Sequence, residues 1–470
     1  MRFFGISYPG FYAAMSLNDS HPALKAVSPQ APIADWFAGD DMHHNGAFTL
    51  SLSYIFFSSF GRERLERSTE KMGSIVELDG NSYDYFMKIG PLKNVNEDYF
   101  YGKIKFWNDF ISHGKYDEFW QSRNTLNYFH DVNPAVMTVG GWYDNEDLYG
   151  ALNTYKAIEQ KNEGSENIIV IGPWFHGGWS RSSGKSFGDM KFGSNTSEFY
   201  RKQIEAQFFK FHLKEEGNLN LPEAYIFETG NNIWHRYDEW PPKDAILTPL
   251  YFSDNNDLSF SSELNSNSDF NEFISDPENP VPYTSVSHSA QKMYNKFYMV
   301  EDQRFASARS DVITFKTQPL EEDLTIAGPI LAKLFVSTSG TDSDWVVKLI
   351  DVFPDTIAKE KKKMSGYQMM VRGEIMRGKF RNSFENPEPF IPNEPTKIEF
   401  VLNDSHHTFK MGHRIMVQVQ SSWFPLFDRN PHEFCNIYTA DQSDFQIATN
   451  RVYHSKTYQS KIVLNVIKQE

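Results

Sequence analysis

Gly5-Ile6-Ser7-Tyr8-Pro9-Gly10 is the stretch whose reading decides the fold. An apolar Phe3-Phe4 precedes it, Phe11 to Leu17 follows as a helical segment, and Ala26-Val27-Ser28-Pro29 reads as the next short strand. Glycine on either side of the serine lets the backbone turn tightly from strand to helix, which exposes the Ser7 hydroxyl at the carboxyl end of a sheet. The short form of this turn has glycine two residues after the serine; here that position is Pro9, with Gly10 next.

A serine hydroxyl is a weak nucleophile until a base takes its proton. In a hydrolase sheet the orienting carboxylate and the base follow in chain order, each from the end of a later strand. The apolar strand 135–139 runs into Gly140-Gly141-Trp142-Tyr143-Asp144-Asn145-Glu146-Asp147, and the strand 168–171 runs into Gly172-Pro173-Trp174-Phe175-His176-Gly177. Alone, Asp144 or His176 would be read as a turn or capping residue. Their order and their place at strand ends make Ser7, Asp144 and His176 a candidate catalytic set. The backbone N–H of Tyr8 then falls where one oxyanion donor is needed.

The rest of the chain organises around this core. A hydrolase domain is expected over 1–35 and 131–245, with helices at 148–159 and 199–213. A helical cap is expected over 36–130, with helices at 62–67 and 98–119. From 246 to 470 short strands are punctuated by Gly, Pro, Asn and Asp, as in a β-sandwich or jelly roll. The Ser- and Asn-rich tract 253–276 reads as a surface loop. The 470 residues carry a net charge of −15, a poor match to a phosphate backbone, so nucleic-acid binding is not expected. The single Cys435 excludes an internal disulfide framework and a cysteine metal cluster. No apolar run reaches the ~18 residues of a membrane span.

A second acidic stretch, Gly39-Asp40-Asp41-Met42-His43-His44-Asn45-Gly46, joins Glu146 and Asp147 as a possible source of carboxylates beside the set. Ionised, they would attract a substrate ammonium; capping and solvation are the simpler alternative. His43 and His44 are adjacent and point in different directions, so no metal centre is expected.

The elbow Gly5-Ile6-Ser7-Tyr8-Pro9-Gly10, the segments Gly141-Trp142-Tyr143-Asp144 and Gly172-Pro173-Trp174-Phe175-His176, and the late stretches 412–415 and 422–431 together resemble the CocE/NonD serine hydrolases. That family groups X-Pro dipeptidyl-peptidases, cocaine esterase, glutaryl-7-aminocephalosporanic-acid acylases and α-amino acid ester hydrolases. The resemblance implies an α/β-hydrolase domain, an inserted helical cap and a C-terminal jelly roll, and no cofactor. Likeness to the α-amino acid ester hydrolases implies that Asp41, Glu146 and Asp147 hold the substrate's ammonium group.

Family members also carry more than a hundred residues, including an oxyanion tyrosine, ahead of the elbow. The chain is therefore expected to be an N-terminally truncated hydrolase, inactive or poorly folded alone, from a secreted or periplasmic parent. The expected substrate is a small amino-acyl ester, amide or short peptide, and a homo-oligomer is possible. The alternatives are an X-Pro dipeptidyl-peptidase and a non-catalytic binding protein built on the jelly roll.

Overall fold

The computed structural model describes residues 1–63, 66–67, 69, 73–262, 268–355 and 363–468. Its first half is a six-stranded sheet: β1 (Arg2–Ile6), β2 (Ala26–Gln30), β3 (Ala135–Tyr143), β4 (Asn167–Phe175), β5 (Ala224–Glu228) and β6 (Ile233–Tyr237), side by side in chain order. The first five strands are parallel and β6 is antiparallel to β5. β3 is buried at every position and β4 at all but its last, which explains their nearly unbroken apolar sequences: both faces of a parallel strand are covered. On α6 (Leu148–Lys161), Leu148, Ala151, Leu152, Tyr155 and Ile158 recur at helical spacing and are all buried.

The sheet begins at the strand that leads into the elbow. β1 pairs with β2 residue for residue, from Arg2 with Ala26 to Ile6 with Gln30, and the backbone N–H of Ser7 continues the ladder to the Gln30 carbonyl at 3.0 Å. The nucleophile candidate therefore leaves the edge strand of the sheet, paired on one side.

Between β2 and β3 lie the helices α2 (Leu50–Ser59), α3 (Ser82–Ile89), α4 (Lys105–Ile111) and α5 (Glu118–Gln121). Their aromatics are core: Phe86, Phe100, Trp107, Phe110 and Trp120 are buried in one cluster with Phe424 and Tyr438 of the C-terminal half. The single helix expected over 98–119 is broken, because Tyr101 and Gly102 are both left-handed (φ 53° and 67°), a conformation that ends helices. The helix expected over 62–67 is not formed at Arg62, Glu63, Glu66 or Arg67; Arg64 and Leu65 lie outside the described residues.

The C-terminal half is a separate unit of antiparallel strands in two sheets. One is built on the long strand Leu324–Thr338, which pairs with Thr396–Phe409, Ala448–Tyr453 and Lys461–Ile467. The other runs Ile313–Lys316, Arg414–Gln420, Asp344–Val352, Gln368–Arg377. The tract expected as a surface loop contains the strand Phe270–Ser275, paired with Ala448–Tyr453; residues 263–267 of it lie outside the described residues. A continuous apolar core runs from Trp142, Leu152 and Ile171 of the first half to Trp345, Leu349 and Trp423 of the second.

One buried charge group ties this half together. The Arg377 guanidinium, wholly buried, donates to both oxygens of Asp344 (2.9 and 2.8 Å) and both of Asp428 (2.8 and 3.0 Å). Asp428 in turn accepts the backbone N–H of Phe48 at 3.1 Å, just ahead of α2. Arg377→Met should leave two buried carboxylates without their cation and cost about 3–5 kcal/mol, because breaking a buried pair strands its charge. Urea denaturation of the two proteins measures this; coincident midpoints would refute it.

Candidate active site

The elbow is strained where the sequence places its serine. Ser7 has φ 66° and ψ −127°, a conformation unfavourable for any side-chain-bearing residue. Gly5 and Gly10 allow it. A Cβ on Gly5 would meet the Cβ of Pro9 at 2.4 Å, and one on Gly10 would meet the Gln30 carbonyl oxygen at 2.3 Å. Pro9 sits in the first turn of α1 (Tyr8–Met15), where its missing N–H is not needed. The Ser7 carbonyl accepts the Phe11 N–H at 2.8 Å, closing the first helical turn.

Asp144 and His176 leave the ends of adjacent strands β3 and β4 and meet. Nδ1 of His176 lies 3.0 Å and 3.1 Å from the two oxygens of Asp144. Asp144 is fixed from below by the N–H groups of Glu146 and Asp147, at 3.0 and 3.1 Å. Nε2 of His176 lies 3.7 Å from a Glu146 oxygen. Among the described residues no hydrogen bond joins Ser7 Oγ to His176.

The three carboxylates singled out in the sequence converge on this imidazole. The backbone N–H of Asp41 donates to the Glu146 carbonyl at 3.1 Å, and its carboxylate accepts the Trp36 indole N–H at 3.3 Å. Asp147 is fully buried, its Oδ2 is 3.6 Å from His176 Nδ1, and neither of its oxygens accepts a hydrogen bond among the described residues. Burial raises the pKa of Asp41 well above the carboxylate range, reinforced by Glu146 and Asp40 and opposed by His176. Burial does the same to Asp147, reinforced by Asp41, Asp40 and Asp144. For His176, burial works against the charged ring, but Asp144, Glu146 and Asp41 outweigh it and push the pKa up to about 10.

The other members of the acidic stretch are structural. Asp40 accepts three backbone N–H groups, from Ala34 (2.8 Å), Asp35 (2.9 Å) and Gly150 (2.7 Å). His43 and His44 part company as expected, Nε2 of His43 to the Tyr438 hydroxyl at 2.6 Å and Nδ1 of His44 to Glu374 at 2.9 Å. Sequence reasoning missed Tyr294, whose buried hydroxyl donates to Glu146. It also missed Trp36, which lies only five residues before Asp41. An apolar cavity of about 290 Å³ opens beside Tyr8, lined by Phe11, Ile33, Trp36 and Phe106.

Sequence and structure comparisons place the chain among known proteins. The model of the X-Pro dipeptidyl-peptidase S15 family matches residues 3–178, and that of the X-Pro dipeptidyl-peptidase C-terminal non-catalytic domain matches residues 217–463. Cocaine esterase of Rhodococcus sp. (strain MB1 Bresler) is 26% identical, over 99% of this chain and 80% of its own. Among solved structures, an aminopeptidase from the marine sediment archaeon Thaumarchaeota archaeon superposes with a TM-score of 0.93 at 37% identity. An α-amino acid ester hydrolase does so with a TM-score of 0.92 at 35% identity. Both alignments cover 99% of this chain and 76% of the other.

The fold and these matches define an enzyme, a serine hydrolase acting on small substrates. The chain belongs to the CocE/NonD, S15-like serine-hydrolase family. The hydrolase family model matches from residue 3, against the expectation of a hydrolase domain with its N-terminal part missing. The similarity to serine hydrolases also speaks against the reading as a non-catalytic binding protein. Among the described residues no helix is long and apolar enough to cross a membrane.

The charge arrangement makes a direct prediction. Glu146→Gln removes one of the carboxylates that raise the His176 pKa, so its titration midpoint should fall from about 10 by roughly 1–3 pH units. ¹H–¹⁵N spectra of the imidazole across pH read this, and an unmoved midpoint would refute the electrostatic account.

Proposed function

We propose that the enzyme cleaves esters or amides of α-amino acids through an acyl-enzyme on Ser7. His176 takes the Ser7 proton as Oγ attacks the carbonyl, with Asp144 holding the ring and stabilising its charged form. The Tyr8 N–H donates to the developing oxyanion. His176 then protonates the leaving group and activates water, or an acceptor amine, for the second half-reaction. The Ser7–His176 hydrogen bond forms as substrate binds; such contacts are often long in a resting site.

The observation that carries the substrate assignment is Asp147, buried, without a hydrogen-bond donor and flanked by Asp41 and Glu146. A buried carboxylate group of this kind favours a cation. A substrate ammonium there would also offset the negative charge that raises the His176 pKa, lowering the proton affinity of the base when substrate is in place. Asp41→Asn should therefore raise the KM for phenylglycine methyl ester about 30-fold or more, the lower end of the cost of truncating a buried charge pair. A plain acyl ester should change far less; equal effects on both would sink the ammonium role. Ser7→Ala should abolish turnover of both.

A second reading, release of X-Pro dipeptides, is favoured by the description of the matching family models. It uses the same carboxylates for the peptide's amino terminus. Hydrolysis of Gly-Pro-arylamide with no turnover of phenylglycine methyl ester would select it over the first; the reverse outcome would remove it.

A further inference from the structure

Where the two halves of the molecule join, three metal-ligating side chains from three strands face one another. Glu228 ends β5, His235 lies diagonally opposite on β6, and His406 comes from the strand Thr396–Phe409 of the C-terminal half. That strand runs beside the end of β5, with Thr229 N–H donating to the His406 carbonyl at 3.0 Å and Thr408 N–H to the Thr229 carbonyl at 2.9 Å. One carboxylate oxygen and one ring nitrogen from each histidine lie within 4.8 Å of one another. We propose that Glu228, His235 and His406 form a binding site for a single divalent zinc-type cation that staples the hydrolase sheet to the C-terminal sandwich.

The donor set is the first argument. Two imidazole nitrogens and one carboxylate suit zinc and its borderline neighbours, whereas calcium and magnesium take oxygen ligands. In a tetrahedral zinc site the donors stand roughly 3.3 Å apart, so modest side-chain rotations would bring these three onto one ion, with water as its fourth ligand.

The ligands are also held in place by their surroundings. Glu228 is almost fully buried. Its carboxylate accepts hydrogen bonds from its surroundings. Asn231 Nδ2, at 2.6 Å, and the Thr408 hydroxyl both donate to Oε1, while Oε2 faces His235 Nε2 at 2.5 Å. This outer layer aims the carboxylate, as the surroundings of metal ligands do. His406 is buried. Its Nε2 is 2.7 Å from the Tyr237 hydroxyl. His235 is about a third exposed and gives the cation a way in.

The sequence held no sign of this site, because residues 228, 235 and 406 form no motif and meet only through the packing of the two halves.

The test uses the full chain, stripped with EDTA, dialysed against zinc chloride and passed through a desalting column. The expected result is one zinc retained per chain by elemental analysis, a Tm that rises with zinc, and at least a tenfold loss of zinc affinity in His235→Ala. That residue is partly exposed, so the variant should fold; His406→Ala is the second variant. Asp147→Asn, at the carboxylates of the active site, should retain zinc unchanged. No retained zinc, retention undiminished in His235→Ala, or retention lost only in Asp147→Asn would each overturn the proposal.

Discussion

Four carboxylates, Asp41, Asp144, Glu146 and Asp147, share a buried space with one imidazole, and the rest of the site follows from that imbalance. A single protonated His176 cannot neutralise four charges in an interior where each is expensive to bury. The response is visible in the directions of titration: Asp41 and Asp147 are pushed toward their neutral forms and His176 toward its charged one. Asp144 is the best held of the group, accepting two backbone N–H groups and facing the ring with both oxygens. The remaining carboxylates have unused acceptor capacity, most plainly Asp147. A site in this state gains from any compact cation that enters it.

What the sequence made legible was whatever is local along the chain. The elbow could be read because its two glycines are required by contacts within a few residues or with the neighbouring strand, to Pro9 and Gln30. Asp144 and His176 could be placed because strand ends are marked by where apolar runs stop, and neighbouring parallel strands bring those ends together. The break in the cap helix was not legible, because it depends on a left-handed Tyr101, and tyrosine carries no propensity for that conformation. Tyr294 was not legible either. It lies in an irregular segment of the C-terminal half and reaches Glu146 only through the packing of one half on the other.

That packing gives the C-terminal sandwich a part in the site even though it supplies none of Ser7, Asp144 or His176. The loop carrying Asp41 is stitched to it at several points. His44 pairs with Glu374, Asn45 Nδ2 donates to the Ile375 carbonyl at 2.9 Å, and His43 meets Tyr438. Leu50 N–H donates to the Leu426 carbonyl at 2.9 Å, and Phe48 N–H to Asp428, which the buried Arg377 holds in place. Asp41 itself has a left-handed backbone, φ 42°, which an aspartate adopts only when its surroundings over-determine it. Without the sandwich, more water would reach the partly buried Asp41 and Glu146 and screen the interactions there more strongly. The second half of the chain therefore forms part of the wall around the carboxylates and lowers the dielectric in which they sit.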